Sequence, residues 1–426
     1  MEYMDRIIDE QLALKLESFG AVLIVGPKGC GKTTSAKQKA KSFVEFQDEE
    51  QRDNLIAVAN TYPSKLLIGD KPRLFDEWQD APKLWGTIRK SVDDLGKNGL
   101  YILTGSSSKD IIKPHTGTLR ISKLKMYPMS LYESGESNGS ISLIDLFNNP
   151  EKFDGCISDL TIDDLIFAIC RGGWPRALLN KTKRSQLEIA KDFYRQIYSS
   201  DISSIDNVKR NARLAQTILQ SYSRNICTLA STKTVFRDTS SNFNLTQPTF
   251  DDYIQALENL FIIEDIDAWC PAIRSKSAIR ASKKRNLIDP SIAVAALGLS
   301  PEYFNTDFKT LGFLFESLCL RDLKIYSSAF DGYVSYYHDR YGLEADCVLH
   351  LNDGRYALIE FKLGSSEINQ ASEHLSKIEN LIKKYNENEK QNPIRIPDLK
   401  IIITATKYGY KLDNGVFVIP IGCLKN

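Results

Sequence analysis

Apolar positions in the first 135 residues fall in short runs separated by amphipathic stretches. From about Met4 to Glu17 they recur at helical spacing. The run AVLIV (Ala21–Val25) reads as a buried strand, and KTTSAKQKAKSF, starting at Lys32, reads as a helix. PRLFDEWQDAP places Leu74 and Phe75 at the end of a short strand, and KLWGTIRKSVDDL predicts a helix. GLYILTGSSS (Gly99–Ser108) is a strand running into a polar turn. Strands alternating with helices predict a parallel sheet with its ligand at the strands' C-terminal edge.

Residues 136–204 are mostly helical in pattern, interrupted by RGGWP (Arg171–Pro175), whose double glycine before Trp-Pro predicts a structural turn. The pattern changes from about Arg213. TILQSYSRN and TKTVFRD predict short helices, and Thr246 caps a helix through QPTFDDYIQALENL with Pro248 in its first turn. FIIEDIDAW follows as a strand. In the last third, LGFLFESLCLRDL predicts a helix that buries Leu311, Leu314, Phe315, Leu318 and Cys319 and leaves Glu316 on its flank. YVSYYHDRYG and LEADCVLHL predict strands, and the turn at Asn352-Asp353-Gly354 reverses the chain into the strand YALIEFKLG. A helix from Glu367 to about Tyr385 and the strand LKIIITAT complete this region.

Composition adds limits. A chain of 426 residues predicts two or three domains. A net charge of +1 gives no global electrostatic footprint for nucleic acid, so any such site must be a local patch. The eight cysteines form no Cys-x-x-Cys pair and most sit in apolar runs, which predicts reduced core thiols. MEYMDRIIDEQL carries acids and no apolar core, unlike a signal peptide, and no apolar run is long enough to span a membrane. The expectation is a cytoplasmic protein with no membrane contact.

The loop GPKGCGKT (Gly26–Thr33), set between a strand and a helix, is a P-loop. Gly26, Gly29 and Gly31 let backbone N–H groups close around phosphate oxygens, and the helix N-terminus favours the same anion. Lys32 is expected to reach the β- and γ-phosphates, Thr33 to ligate Mg²⁺, and Thr34 to join the nucleotide-binding set. Asp76 and Glu77 end a strand as a Walker B pair does: Asp76 would hold Mg²⁺ and Glu77 would polarise the attacking water. Ser106, within Thr104–Ser107, is the expected γ-phosphate sensor. ATP and Mg²⁺ are the cofactors these residues imply.

A second constellation lies in the last third. Glu360 and Lys362 are two apart on a strand and share a face, and hairpin pairing would bring Asp346 beside them. With Glu316 these carboxylates would make an oxygen-rich Mg²⁺ site in which Asp346, Glu360 and Lys362 are catalytic. The same triplet also suits an ordinary strand-face ion pair. The order of a helix glutamate, an aspartate and Glu-x-Lys resembles the PD-(D/E)XK nuclease core. From about Arg213 to Trp269, a helix followed by a β-hairpin resembles a winged helix. RSKSAIRASKKR (Arg274–Arg285) follows it and is either a solvated loop or a DNA-contacting wing, through Arg274, Lys276, Arg280, Lys283, Lys284 and Arg285.

GPKGCGKT, LFDEWQ, YILTGSSS, MYPMSLYES, RGGWP, GLEADCVLHL and ALIEFKLG together resemble a prokaryotic, archaeal-type family of AAA ATPases with a C-terminal PD-(D/E)XK-like domain. The resemblance implies an α/β fold class with a P-loop NTPase parallel sheet over 1–135 and a helical region over 136–204. It implies a winged-helix-like domain over 205–290 and a restriction-endonuclease-like α/β domain over 291–426. Such families carry a Gly-Arg pair ahead of MYPMS; this chain reads HTGTLRIS, with Leu119 in place of the glycine and Arg120 retained as a candidate nucleotide contact. Two functions follow. One is an ATPase that binds or cleaves nucleic acid. The other is a nucleotide-state switch that docks a protein partner, with an inactive nuclease-like domain; an oligomer is compatible with both.

Overall fold

The computed structural model describes residues 3–105, 118–206, 208–241, 243–270, 282–339, 342–388, 391 and 393–426. The chain divides into two compact units. The first comprises Met1–Pro128, Asp201–Lys209 and Ile254–Ile262, and the second Met129–Ser200, Arg210–Tyr253 and Ile263–Asn426.

In the first unit, helix α1 (Ile8–Ser18) leads into β1 (Ala21–Val25), and α2 (Lys32–Lys39) follows the glycine loop. Then come β2 (Ser42–Glu45), α3 (Arg52–Thr61), β3 (Arg73–Asp76), α4 (Leu84–Leu95), β4 (Tyr101–Gly105) and β5 (Ile121–Lys125). All five strands run parallel in the order β2-β3-β4-β1-β5. β1 is apolar throughout because both its faces are covered. Ala21, Leu23 and Val25 pack into a core with Phe75, Leu84 and Leu103, while Val22 and Ile24 pack on the other side with Leu12, Leu16 and Ile102.

In the second unit the helices are α5 (Ile162–Arg171), α6 (Lys183–Gln196), α7 (Ala212–Arg224), α8 (Thr232–Ser240), α9 (Gln247–Asn259, whose last turns belong to the first unit) and α10 (Pro290–Leu297). After α9 the segment expected as a strand forms isolated bridges rather than a ladder, antiparallel at Ile263–Leu287 and Ile266–Lys284 and parallel at Ala268–Tyr336. The Asn286 N–H that would extend the ladder goes instead to the Asp265 carboxylate at 3.0 Å.

A seven-stranded sheet closes the second unit. Its strands are β6 (Cys156–Ile157), β7 (Tyr333–His338), β8 (Glu344–His350), β9 (Tyr356–Lys362), β10 (Leu399–Thr404), β11 (Tyr408–Lys411) and β12 (Phe417–Pro420), in the order β6-β11-β12-β10-β9-β8-β7. Helix α11 (Phe308–Ser328) precedes the antiparallel β7-β8-β9 meander. Helix α12 (Ile368–Asn388) crosses over to β10, which is parallel to β9. Ile368, Ala371, Leu375, Ile378 and Ile382 of α12 bury against Tyr356 and Leu358.

RGGWP is a structural turn, as its glycines predict. Gly172 has φ +76°, and a Cβ on Gly173 would lie 2.1 Å from the Met129 carbonyl oxygen and 2.7 Å from the same residue's backbone nitrogen, neither of which can swing aside. Gly173→Ala is expected to cost about 1–3 kcal/mol, read as a lower melting temperature of the second unit, and an unchanged melting temperature would refute that close approach. All eight cysteines are free, six of them buried. Among the described residues no helix is long and apolar enough to cross a membrane.

Candidate functional site

β1 delivers the loop Gly26–Thr33 to the C-terminal edge of the parallel sheet. Gly26 adopts φ +153°, and a Cβ there would strike the Met126 carbonyl oxygen at 2.2 Å. Gly29 and Gly31 lie at φ +75° and +104°, in the left-handed region that glycine enters without strain. Gly31 caps α2 without a side-chain acceptor, which leaves the helix's first N–H groups to an anion. The Lys32 ammonium donates to the Gly26 and Pro27 carbonyls at 2.9 and 2.8 Å. Thr34 is exposed on the first turn of α2.

Because β4 lies between β1 and β3, three strand ends meet at this edge. Thr33 Oγ1 donates to Asp76 Oδ1 at 2.6 Å, and Thr104 Oγ1 donates to the same oxygen at 2.5 Å. Glu77 turns away from β3 at φ +52°, its N–H donating to Thr104 Oγ1 at 3.2 Å, and its carboxylate accepts from the Gln79 amide. Ser106 lies outside the described residues.

Three contributors to this site escape a reading of the motif alone. Arg6 is buried behind the loop and donates to the Cys30 and Tyr127 carbonyls, both at 2.9 Å. Thr104 anchors the Asp76 carboxylate. Lys28, in the loop itself, pairs with Asp201 at 2.7 Å. Asp201 and Arg6 carry no local signal that could reveal these roles; Thr104 does, as the hydroxyl that ends an apolar strand.

Arg120 requires a correction. β5 pairs in parallel with β1, Ala21 opposite Ile121, so Arg120 lies at the sheet's N-terminal edge. The loop leaves β1 at its other end, five residues or roughly 16 Å away. Arg120 pairs instead with Asp93 at 2.8 Å and is no nucleotide contact in its own chain. Leu119 beside it takes φ +66°, the left-handed backbone that a glycine would hold without strain.

The second constellation converges in part. Register puts Asp346 one step beyond the last β8–β9 pair, Ile359–Cys347, and its Oδ2 accepts the Phe361 N–H at 2.9 Å. Lys362 Nζ sits 3.0 Å from Glu360 Oε2 and 4.0 Å from Asp346 Oδ2. Burial pushes the Glu360 carboxyl up to about 7, with Lys362 pulling it down and Asp346 pushing it up. Glu360 Oε1 is buried without a hydrogen bond, with His374 Nδ1 at 3.5 Å. Asp346 and Lys362 line a cavity of about 860 Å³ together with Glu316, Glu344, Glu367 and Lys284.

Glu316 does not join them around a metal. Its Oε1 is taken by the Lys284 ammonium at 2.6 Å, and Lys284 also donates to the Asp346 carbonyl at 3.0 Å. Among the described residues no group of three or more His, Cys, Asp or Glu is placed to hold a metal ion. Lys284 and Arg285 are therefore corrected as DNA contacts. Both are buried, and Arg285 pairs with Asp265 while donating to Tyr222 at 3.1 Å and Thr232 at 2.9 Å. Lys283 is exposed beside Asp267 at 3.3 Å. Arg274, Lys276 and Arg280 lie outside the described residues.

No curated protein matches the chain in sequence. Residues 162–303 match a domain of unknown function, DUF8612, and residues 311–424 match another, DUF4143. Among solved structures, a Signal Transduction ATPase with Numerous Domains protein with a tetratricopeptide repeat sensor, from Pyrococcus horikoshii, is 13% identical with a TM-score of 0.24. It covers 76% of this chain, which spans about half (48%) of that protein's length. Drosophila ORC bound to DNA is 15% identical with a TM-score of 0.17, over 68% of this chain and 84% of that one. Residues 18–135 match an AAA domain, and that match, over a parallel sheet with a glycine loop after β1, supports an AAA-type ATPase.

Proposed function

We propose that this protein binds and hydrolyses ATP, and that its nucleotide state governs the docking of a partner. The carrying observation is the 2.6 Å contact between Thr33 and Asp76 beneath a glycine loop with open N–H groups. Thr33 and Asp76 are the pair that would hold Mg²⁺, which neutralises phosphate charge when bound. Gly26, Gly29, Gly31 and Thr34 let the loop and the first turn of α2 follow the phosphates. Lys32 exchanges its carbonyl partners for phosphate oxygens. Glu77 orients the attacking water and accepts its proton. Ser106 is proposed as the γ-phosphate sensor.

The Lys28–Asp201 pair favours the switch reading. Lys28 belongs to the phosphate loop, and Asp201 ends a π-type turn (Ile197–Asp201) directly after α6. Phosphates entering the loop compete with Asp201 for the same ammonium. The chain leaving Asp201 runs back into α6 of the second unit, so a change at the loop has a covalent route outward. The element order α7, α8, α9 and a short antiparallel pairing supports a winged-helix-like module. The order α11, β7-β8-β9, α12, β10 supports a nuclease-like core, here read as a docking scaffold. Nucleic acid is the second partner class, and of the six basic residues named for it in Arg274–Arg285 Lys283 is the described one that is exposed.

Glu77→Gln is expected to leave ATP binding near that of the wild type while hydrolysis falls about 100-fold or more. Fluorescent-nucleotide titration and phosphate release measure the two. A wild-type protein that binds no ATP would overturn the proposal, and unchanged hydrolysis in the variant would remove Glu77 from it.

A further inference from the structure

The nuclease-like core would need a divalent cation between Glu316, Asp346 and Glu360, and the described residues do not offer it a ligand set. Lys284 reaches this core two residues after Ser282, whose carbonyl accepts the Tyr336 hydroxyl. Its neighbours fix it there. The Arg285 N–H donates to the Thr228 carbonyl at 2.8 Å, and the Asn286 side-chain oxygen accepts from Ser317 of α11 at 2.7 Å. Lys284 is thus held from both sides rather than resting on the surface.

The ammonium is engaged at two of its three donors. It donates to Glu316 Oε1 at 2.6 Å and to the Asp346 carbonyl at 3.0 Å, and lies 5.5 Å from the centroid of the Tyr336 ring. Burial disfavours a charged lysine, but Glu316 and Asp346 outweigh it and hold the ammonium above its ordinary value. On the other flank Lys362 offsets Glu360 and Asp346. Two ammonium groups therefore lie among Glu316, Asp346 and Glu360, with Glu344 and Glu367 also lining the cavity. Glu316 Oε1, Asp346 Oδ2 and Glu360 Oε2 are each engaged by a protein donor, and among the described residues no three carboxylates, histidines or cysteines cluster as Mg²⁺ or Mn²⁺ requires.

We propose that Lys284 is the resident cation of the C-terminal core, filling with its ammonium the place of a divalent ion and holding α11 to β8 without metal. The inference rests on the nuclease-like reading of this core and is independent of ATP binding. It makes the core a closed scaffold whose metal site is latent in the carboxylates.

The test is Mn²⁺ binding to the full chain without nucleotide, followed by the electron paramagnetic resonance of free Mn²⁺. Wild type and Glu360→Ala are expected to bind Mn²⁺ alike. Lys284→Met is expected to gain a site at least about tenfold tighter than any in the wild type, lost again on adding Glu360→Ala. Lys284→Arg keeps the charge and should gain none. Weaker binding by Glu360→Ala than by wild type would overturn the inference while leaving the nuclease-like reading standing. A folded Lys284→Met that gains nothing would overturn both. If circular dichroism shows Lys284→Met unfolded, the wild-type and Glu360→Ala comparison decides: equal binding supports the proposal, and a loss overturns it.

Discussion

Lys32→Ala is expected to abolish ATP turnover and leave the fold in place. The ammonium's hydrogen bonds run to the Gly26 and Pro27 carbonyls, both within the loop it serves, so few contacts elsewhere depend on it. Alanine also suits the first position of α2, because it has the highest helix propensity. The loss falls on the ligand. A hydrogen bond to a charged group contributes about 1.5–3 kcal/mol, which corresponds to roughly 10–100-fold in ATP affinity. Charge that develops on the transferred phosphoryl group relies on the same ammonium, and removing one such donor costs about 100–1,000-fold in turnover. ATP titration, phosphate release and a melting curve on one preparation separate these effects. Wild-type turnover in a folded Lys32→Ala protein would sink the nucleotide site as drawn here.

What could be read from the sequence was local. The strand Ala21–Val25, the loop glycines and Asp76 are each fixed by neighbours within a few positions, so periodicity and spacing reveal them. Asp346 and Glu360 are one hairpin apart, and strand alternation alone predicts that they face one another across β8 and β9. The misread residues depend on partners far along the chain. Lys284 and Arg285 look solvated because they end a basic run. Glu316, which draws Lys284 inward, lies 32 positions away, and Tyr222, which meets Arg285, lies 63 away. Arg120 sits beside a family-like motif, yet its distance from the loop is set by the direction of β5 relative to β1. Lys28 and Asp201 are 173 positions apart, and no pattern in either segment announces the other.

Arg321→Leu is expected to destabilise the second unit by about 3–5 kcal/mol, the range for breaking a buried ion network by removing one partner. Arg321 on α11 is buried between two carboxylates, with Nη1 2.7 Å from Asp289 Oδ2 and Nη2 2.7 Å from Asp322 Oδ1. Each carboxylate holds a distant segment through its remaining capacity. Asp289 accepts the Gly173 N–H of the RGGWP turn at 3.0 Å, and Asp322 accepts the Leu131 N–H of MYPMSLYES at 2.9 Å. Both motifs are therefore tied to α11 through one guanidinium. Leucine fills much of the volume but leaves two buried carboxylates without a counter-charge, so the effect comes from charge rather than a cavity.

That origin gives the variant a pH signature. Burial already raises the Asp322 carboxyl above its usual range, and Arg321 is the chief force pulling it back. Without Arg321 the folded-state value rises further, so the folded protein binds more protons than the unfolded chain above the ordinary carboxylate range. Stability is then lost as pH rises from that range through the raised folded value. The variant should sit closest to wild type near pH 5 and fall furthest below it near pH 8. At about 2–4 °C per kcal/mol, the melting transition of the second unit should drop by roughly 6–20 °C at the higher pH. Adding Asp322→Asn removes one stranded charge and should recover part of that loss. A deficit that is equal at both pH values would mean that packing around α11, not charge, holds these motifs together.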